Sequence, residues 1–328
     1  METERPFHLT EEITMRAVAV DTVPANPQLS DVEAPRPEAG EVLVEVTSAS
    51  VNGFDLSVAA GHVQGMLEHR FPLVRGKDFA GTVTELGEGV EGFAVGDQVF
   101  GVVMKPVLQA GTLAQFVTVP AAHGLARIPA GLSTLDAGAL GLAGTAALDS
   151  LDAAQVAGGD TVLISGATGG VGALAVQLAA ARGATVIATA RPGAEADFVT
   201  GLTSADVDVD VVDYTGDLGG QVRAIAPDGV DVVLHLAGDG AELAGLLAKG
   251  GRIASTRGLT SDAVEIEDVT VYPIMADPTS QILTVLAEQA ASGALRVPVT
   301  AIYPLEQAHE ALAAFGEGSL GKIAVTCS

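Results

Sequence analysis

Residues 165–172 read Ser165-Gly166-Ala167-Thr168-Gly169-Gly170-Val171-Gly172. They follow the apolar, β-branched run Thr161–Ser165 and lead into the Ala/Leu-rich stretch Ala173–Arg182, so the glycines sit at a strand-to-helix bend. Glycine there permits a tight turn and lets the backbone approach a pyrophosphate. The phosphates then rest on the free N–H groups and positive dipole end of the helix. A plain strand–helix turn can have the same composition. The next segment favours the nucleotide, because Thr185–Thr189 is a second apolar strand and completes the opening unit of a dinucleotide-binding sheet.

Gly166, Gly169 and Gly172 are spaced G-x-x-G-x-x-G, while Gly166, Gly170 and Gly172 fit G-x-x-x-G-x-G. The second spacing resembles that of short-chain dehydrogenases, which carry the loop near the N-terminus and a Tyr-x-x-x-Lys downstream. Here the loop is mid-chain, and Tyr214, Tyr272 and Tyr303 are followed four residues later by Leu218, Ala276 and Gln307. That family is excluded. The second strand bears on the cofactor: NAD sites place a carboxylate near its end for the ribose diol, and NADP sites place a cation for the 2′-phosphate. This strand runs into Ala190-Arg191, and the first acid is Glu195. Arg191 suits a bidentate phosphate contact, or else caps the strand at the surface. NADPH is the expected cofactor.

Outward from the loop, the chain changes style twice. From Met15 to about Pro120 it consists of short strands and glycine turns (Arg16–Val20, Glu41–Thr47, Gly81–Leu86, Gly96–Gly101, Leu113–Val119), the pattern of a compact β-barrel. From about Leu135 to Ala291, apolar strands (Thr161–Ser165, Thr185–Thr189, Val207–Val212, Asp231–Leu236, Arg252–Ser255) alternate with helical stretches. That alternation implies a parallel sheet covered on both faces. Asp277-Pro278 reads as an N-cap followed by a first-turn proline, opening a helix to about Ser292. Strand character returns at Val297–Ile302 and Lys322–Thr326, around a helical spacing of Leu305, Ala308, Leu312 and Phe315, so the tail is expected to rejoin the first domain.

Composition limits the partners. With 328 residues, 16 Lys+Arg against 41 Asp+Glu and a net charge of −25, the surface repels phosphate backbones and anionic lipid. No nucleic-acid or membrane partner is expected. Mean hydropathy is high at +0.41, yet no apolar run approaches the roughly 18–20 residues of a membrane span. One cysteine, Cys327, excludes an intrachain disulfide and a Cys-based zinc site. Residues 1–14 carry Glu2, Glu4, Glu11 and Glu12 and no apolar core, so they read as an N-terminal extension, not a secretory signal. A reducing cytoplasm is the expected setting.

The order of these features resembles the medium-chain dehydrogenase/reductase superfamily, in particular its zinc-free, zeta-crystallin-like NADPH:quinone oxidoreductase branch. The residues carrying the resemblance are Ser50–Asp55, Gly76-Lys77-Asp78-Phe79-Ala80-Gly81, Val95-Gly96-Asp97, Gly144-Thr145-Ala146, Gly166–Gly172, Val212-Asp213-Tyr214 and Gly321-Lys322. It implies an α/β protein: a GroES-like β-barrel catalytic domain (residues 15–138 and 293–328) and a Rossmann doubly wound parallel-sheet domain for NADPH (139–292), assembled as a homodimer. It also implies cofactor contacts from Thr145, the bend Gly166, Ala167, Thr168, Gly169, Gly170, Val171 and Gly172, then Arg191, Tyr214, Leu236, Ala237, Gly238 and Lys322. Tyr214 either flanks the adenosine or packs on a helix.

Zinc-dependent relatives have Cys and His where this chain has Asn52 and Lys77, and an ammonium cannot ligate zinc. A substitute site from His62, His69, Asp55 and Asp78 matches no ligand spacing, so no metal is expected. The resemblance places Asn52, Asp55 and Lys77 on the floor of the cleft. Asn52 would donate to a substrate oxygen or to the nicotinamide ribose, and Asp55 would organise the loop. Lys77 would either supply positive charge or pair with Asp55 or Asp78. The tyrosine that many enone-reducing relatives use as proton donor is missing; the segment reads Gly61-His62-Val63, leaving His62 either as the donor or as a loop histidine. The expected function is NADPH-dependent hydride transfer to a quinone or an α,β-unsaturated carbonyl. The alternatives are a pathway-specific enoyl reductase and a non-catalytic NADPH-binding redox sensor.

Overall fold

Alternating burial and β-branched composition fix the strands, and glycine fixes how closely they are crossed. The structure, a computed structural model, describes residues 14–204, 207–264 and 266–327. The extension expected over residues 1–14 therefore lies outside the described residues except for Thr14, which opens the first strand, Thr14–Val20.

Residues 161–273 form a six-stranded, wholly parallel sheet. In sequence its strands are Thr161–Ser165, Thr185–Thr189, Val209–Val212, Val230–His235, Leu247–Ser255 and Thr270–Pro273. In space they run third, second, first, fourth, fifth, sixth. This is the doubly wound order, and it opens a crevice where the first and fourth strands diverge at their carboxyl ends. The glycine bend leaves the first of these strands, and Leu236-Ala237-Gly238 leaves the fourth. The bend's helix spans Gly170–Ala181.

The strands Glu41–Ser50, Asp78–Leu86, Gln98–Val102, Phe116–Pro120 and Leu125–Arg127 form one seven-stranded sheet with Val299–Pro304 and Lys322–Thr326. Lys322–Thr326 lies antiparallel to the end of Glu41–Ser50, so the tail rejoins the first domain as expected. A smaller sheet, Gln28–Glu33, Thr14–Val20 and Leu73–Val74, covers a second edge of this domain. The late helix is Ser280–Ala291, capped by Thr279, whose hydroxyl accepts the Ile282 N–H at 3.2 Å. The cap expected at Asp277 does not form: the helix starts two residues later than Pro278, with Thr279 as its cap, and the Asp277 carboxylate lies 3.2 Å from His123 Nε2.

Helix Thr134–Ala153 joins the halves. Ser133 caps it, accepting the Asp136 N–H at 3.0 Å. It packs on the bend's helix on one side and on barrel strands on the other, through small residues: a Cβ at Gly138 would meet the Ser48 carbonyl at 2.8 Å, and one at Gly141 the Gly101 carbonyl at 3.0 Å. In the barrel, Gly81 lets Asp78–Leu86 cross Glu41–Ser50, since a Cβ there would lie 1.9 Å from the Glu45 carbonyl oxygen. Backbone on both sides leaves no room to relax. Gly81→Ala is expected to cost about 3 kcal/mol or more in urea unfolding, at or above the usual overpacking penalty. Gly53→Ala, facing open space at the start of a helix, is expected to change stability by less than about 1 kcal/mol.

Candidate active site

The glycine bend is shaped for a phosphate seat. Gly166 has φ +77° and donates its N–H to Thr189 Oγ1 at 2.9 Å, tying the bend to the second strand. A Cβ at Gly172 would lie 2.2 Å from the Gly166 carbonyl oxygen, so the helix starts against the bend's own backbone. Ala167 is buried, Thr168, Gly169, Gly170 and Val171 are half-buried, and the Gly170–Ala181 helix points its N-terminus at the crevice. A cleft of about 650 Å³ runs from there along the sheet edge, lined by Gly166, Thr168, Thr189, Tyr214, Ala237 and Gly238 among others. Its far wall is braced by Ser165 Oγ donating to the Ala237 carbonyl, and His235 is fully used within the core, with ring nitrogens 3.0 Å from Ser255 Oγ and 3.1 Å from the Gly238 carbonyl. These groups fit a dinucleotide: bare backbone at the helix start, and a long cleft at the switch point.

Beside the bend lies a buried polar cluster. Lys322 is 2% exposed; its stem passes beneath Gly170, where a Cβ would be 2.5 Å from Lys322 Cδ. Its Nζ donates to Asn52 Oδ1 at 2.7 Å and lies 3.3 Å from both Asp78 Oδ2 and the Val51 carbonyl. Asp78 also accepts from Ser50 Oγ at 2.6 Å, Asn52 Nδ2 at 2.9 Å and the Leu142 N–H at 2.7 Å. Asp55 caps the helix Gly53–Ala59 and accepts the Asn52 N–H at 2.8 Å. Burial pushes the Asp55 carboxyl up, opposed by that hydrogen bond and by Arg75.

Several expected roles are redistributed. The ion pair with Asp78 belongs to Lys322, not to Lys77. The Lys77 ammonium instead donates to the Val103 carbonyl and lies 5.3 Å above the Phe54 ring, half-buried. Burial holds Lys77 below the usual lysine range, with Asp55 and Asp78 pulling the other way. The Asn52 amide expected to meet a substrate oxygen is committed to Asp78, its second contact being the Ser50 carbonyl at 3.4 Å. Lys322, expected at the cofactor, directs its charge into the floor. Thr145 is buried with its hydroxyl on the Gly141 carbonyl at 2.7 Å. His62 is exposed on the turn after the Gly53–Ala59 helix. Ser50, which opens the Ser50–Asp55 stretch without an expected role, and Arg75, which nothing in the local sequence marks out, belong to the floor as well.

Past the end of the second strand, Arg191 is exposed and already paired. Its Nε and Nη2 reach Glu195 Oε1 at 2.7 and 2.5 Å, and its backbone N–H meets Oε2 at 2.8 Å. Tyr214 OH is 3.5 Å from the same Oε1, and its ring is half exposed on the cleft. The arginine therefore shares its site with a carboxylate that the sequence, counting only strand-end acids, had set aside.

The alcohol dehydrogenase GroES-like domain model matches residues 38–130, and the zinc-binding dehydrogenase model matches residues 205–325. The chain is 29% identical to the chloroplast envelope quinone oxidoreductase homolog of Arabidopsis thaliana, over 90% of this chain and 92% of that protein. It is 34% identical to a mycocerosic acid synthase-like polyketide synthase of Mycobacterium tuberculosis over 92% of this chain, which spans only 14% of that protein's length. The quinone oxidoreductase structure from Coxiella burnetii superposes with a TM-score of 0.85 at 26% identity, covering 96% of this chain and all of the other. A barrel and a doubly wound sheet meeting at a glycine bend define a nicotinamide-dependent oxidoreductase. The chain belongs to the medium-chain dehydrogenase/reductase superfamily, among relatives that include quinone oxidoreductases.

A zinc ion is not accommodated by the floor. Asn52, Lys77 and Lys322 offer one amide and two ammonium groups, and the two carboxylates are committed, Asp78 to Ser50, Asn52, Leu142 and Lys322 and Asp55 to the Asn52 N–H; zinc takes free thiolate, imidazole or carboxylate. Among the described residues no three His, Cys, Asp or Glu gather as a metal site, and His69 turns its Nδ1 to the Leu67 carbonyl at 2.8 Å. Breaking the floor's ion pair from one side is costly. Asp78→Asn is expected to destabilise by about 3–5 kcal/mol in urea unfolding, by stranding the Lys322 charge. The pair Asp78→Asn/Lys322→Met is expected to recover much of that loss.

Proposed function

We propose that the chain is an NADPH-dependent reductase that reduces a quinone or an α,β-unsaturated carbonyl compound without zinc, as a homodimer in the cytoplasm. The observation that carries the reading is the shared wall: Lys322 lies under the glycine bend with its stem and in the reaction floor with its ammonium. A dinucleotide seated on the bend is thereby addressed to a floor of amide, carboxylate and lysine. When bound, the nicotinamide supplies the hydride.

The residues of this chain do the rest. The bend's N–H groups and the helix dipole hold the phosphates, and Tyr214 flanks the cleft toward the adenosine. Arg191 meets the 2′-phosphate, sharing itself with Glu195. Asp78 and Lys322 clamp Asn52 at both ends of its amide, so Asn52 shapes the pocket and does not move during turnover. Lys77 is the donor left with N–H groups to spare. Its ammonium meets the charge that develops on the acceptor's oxygen, and its lowered proton affinity suits it to protonate that oxygen.

A second reading is favoured by the polyketide synthase relatives: an enoyl reductase serving one biosynthetic route, with the same floor and a thioester acceptor. Turnover of NADPH with a panel of quinones, enones and enoyl thioesters separates the readings by kcat/KM. Tight NADPH binding with no oxidation by any of them would sink both and leave a binding protein.

Arg191→Ala is expected to raise the Kd for NADPH about 10–100-fold, the loss of one charge-assisted contact, and to leave NADH within about twofold. Equal losses would remove the phosphate assignment. Because burial lowers the Lys77 proton affinity, kcat is expected to fall as pH rises through a midpoint below the ordinary lysine range. Lys77→Met is expected to abolish that limb while NADPH affinity stays within about threefold. An alkaline limb that persists in Lys77→Met assigns it elsewhere.

A further inference from the structure

Arg75 is the largest side chain wholly withdrawn from solvent among the described residues, 1% exposed. Its Nη1 and Nη2 have no hydrogen-bond acceptor within the described protein. Buried polar groups are almost always partnered, and a buried guanidinium without acceptors is among the least favourable arrangements a fold can hold. Arg75 lines a cavity of about 20 Å³, which is room for one water molecule. Asp55 and Lys77 line the same cavity, together with Phe54 and Leu108.

Asp55 gives the cavity its relevance. It is 2% exposed, and one carboxylate oxygen accepts the Asn52 N–H. Arg75 and Asp55 favour each other's charged form, against burial, which acts more strongly on each. Lys77 also faces the carboxylate from the segment after Arg75, Lys322 supports its ionisation from the last strand, and Asp78 opposes it. The Gly53–Ala59 helix carries no other titratable group. A small anion is disfavoured as occupant of the cavity because Asp55 borders it; water can accept from the guanidinium and donate to the carboxylate.

We propose that Arg75 is a positioning residue of the hydride-transfer site: through one water in this cavity its guanidinium keeps Asp55 a carboxylate, and the carboxylate fixes Asn52 between Lys322 and Asp78. The part concerning turnover rests on the function proposed above. The link from Arg75 to Asp55 stands without it.

The test uses the full chain as wild type, Arg75→Met, Arg75→Lys and Asp55→Asn. With aspartate labelled at the carboxyl carbon, Asp55 is the signal missing from Asp55→Asn, and its titration is followed by NMR. Its midpoint is expected at least about one pH unit higher in Arg75→Met than in wild type, with Arg75→Lys in between. In quinone reduction, the acid limb of kcat is expected to move upward by the same amount in Arg75→Met, with activity recovering as pH rises and the KM for NADPH held within about twofold. An unmoved Asp55 midpoint overturns the proposal whatever the activity does, and so does an unmoved acid limb in an active enzyme, or a dry cavity in a crystal structure that resolves ordered water. A wild type inactive on every acceptor condemns the functional reading alone, since the titration still decides the charge link. Should Arg75→Met fail to fold, Arg75→Met/Asp55→Asn is expected to fold better, because it strands no charge; equal failure of both overturns the link.

Discussion

The Lys322 ammonium, held by Asn52, Asp78 and the Val51 carbonyl and shut away from water, is the contact on which the rest of the architecture depends. Removing such a charge from solvent is unfavourable unless every donor finds an acceptor, so its partners are constrained as tightly as it is. Asp78 is fixed further by Ser50 and by the Leu142 N–H of the joining helix. The stem of the same lysine runs beneath Gly170, and the Gly321 N–H before it donates to the Thr168 carbonyl at 2.7 Å. Glycine bend and polar floor are therefore parts of one packed unit.

That arrangement explains what could be read in advance. The bend and the strands Thr161–Ser165 and Thr185–Thr189 follow from local pattern, because glycine spacing and β-branched runs report on neighbouring residues, and the observed strands have those bounds. The helix Thr134–Ala153 was not legible: most of it is buried between two domains, so it shows no one-sided apolar stripe. The floor was half legible. Asn52, Asp55 and Lys77 could be placed there by resemblance, but Lys322 lies 270 positions from Asn52 and only the topology brings them together. The pairing with Asp78, one of two expectations for Lys77, is consequently made by Lys322. Arg75 follows Leu73-Val74 in an apolar strand, and no sequence rule tells an arginine at a strand end from one sealed inside. Glu195 lies four positions beyond Arg191, across Pro192-Gly193, and a rule that searches for acids only at the strand end passes over it.

The charge distribution has a clear division. The surface is strongly acidic, whereas Arg75, Lys77 and Lys322 converge on the interior floor. Distance and screening weaken the first at the cleft, and low polarity strengthens the second. The field of the acidic surface is therefore the weaker influence inside the floor, where the buried cations and their carboxylate partners act at close range.

The pairing of Lys322–Thr326 with Ser48–Ser50 carries a consequence for biogenesis. A polypeptide emerging from the ribosome has its barrel strands and its whole parallel sheet before the strand that completes the barrel exists. Until then the edge of Glu41–Ser50 offers unpaired backbone groups to any neighbouring chain, and Asp78 lacks its cation. Synthesis of Lys322–Thr326 therefore covers the exposed strand edge and supplies the counter-charge of Asp78 in a single step.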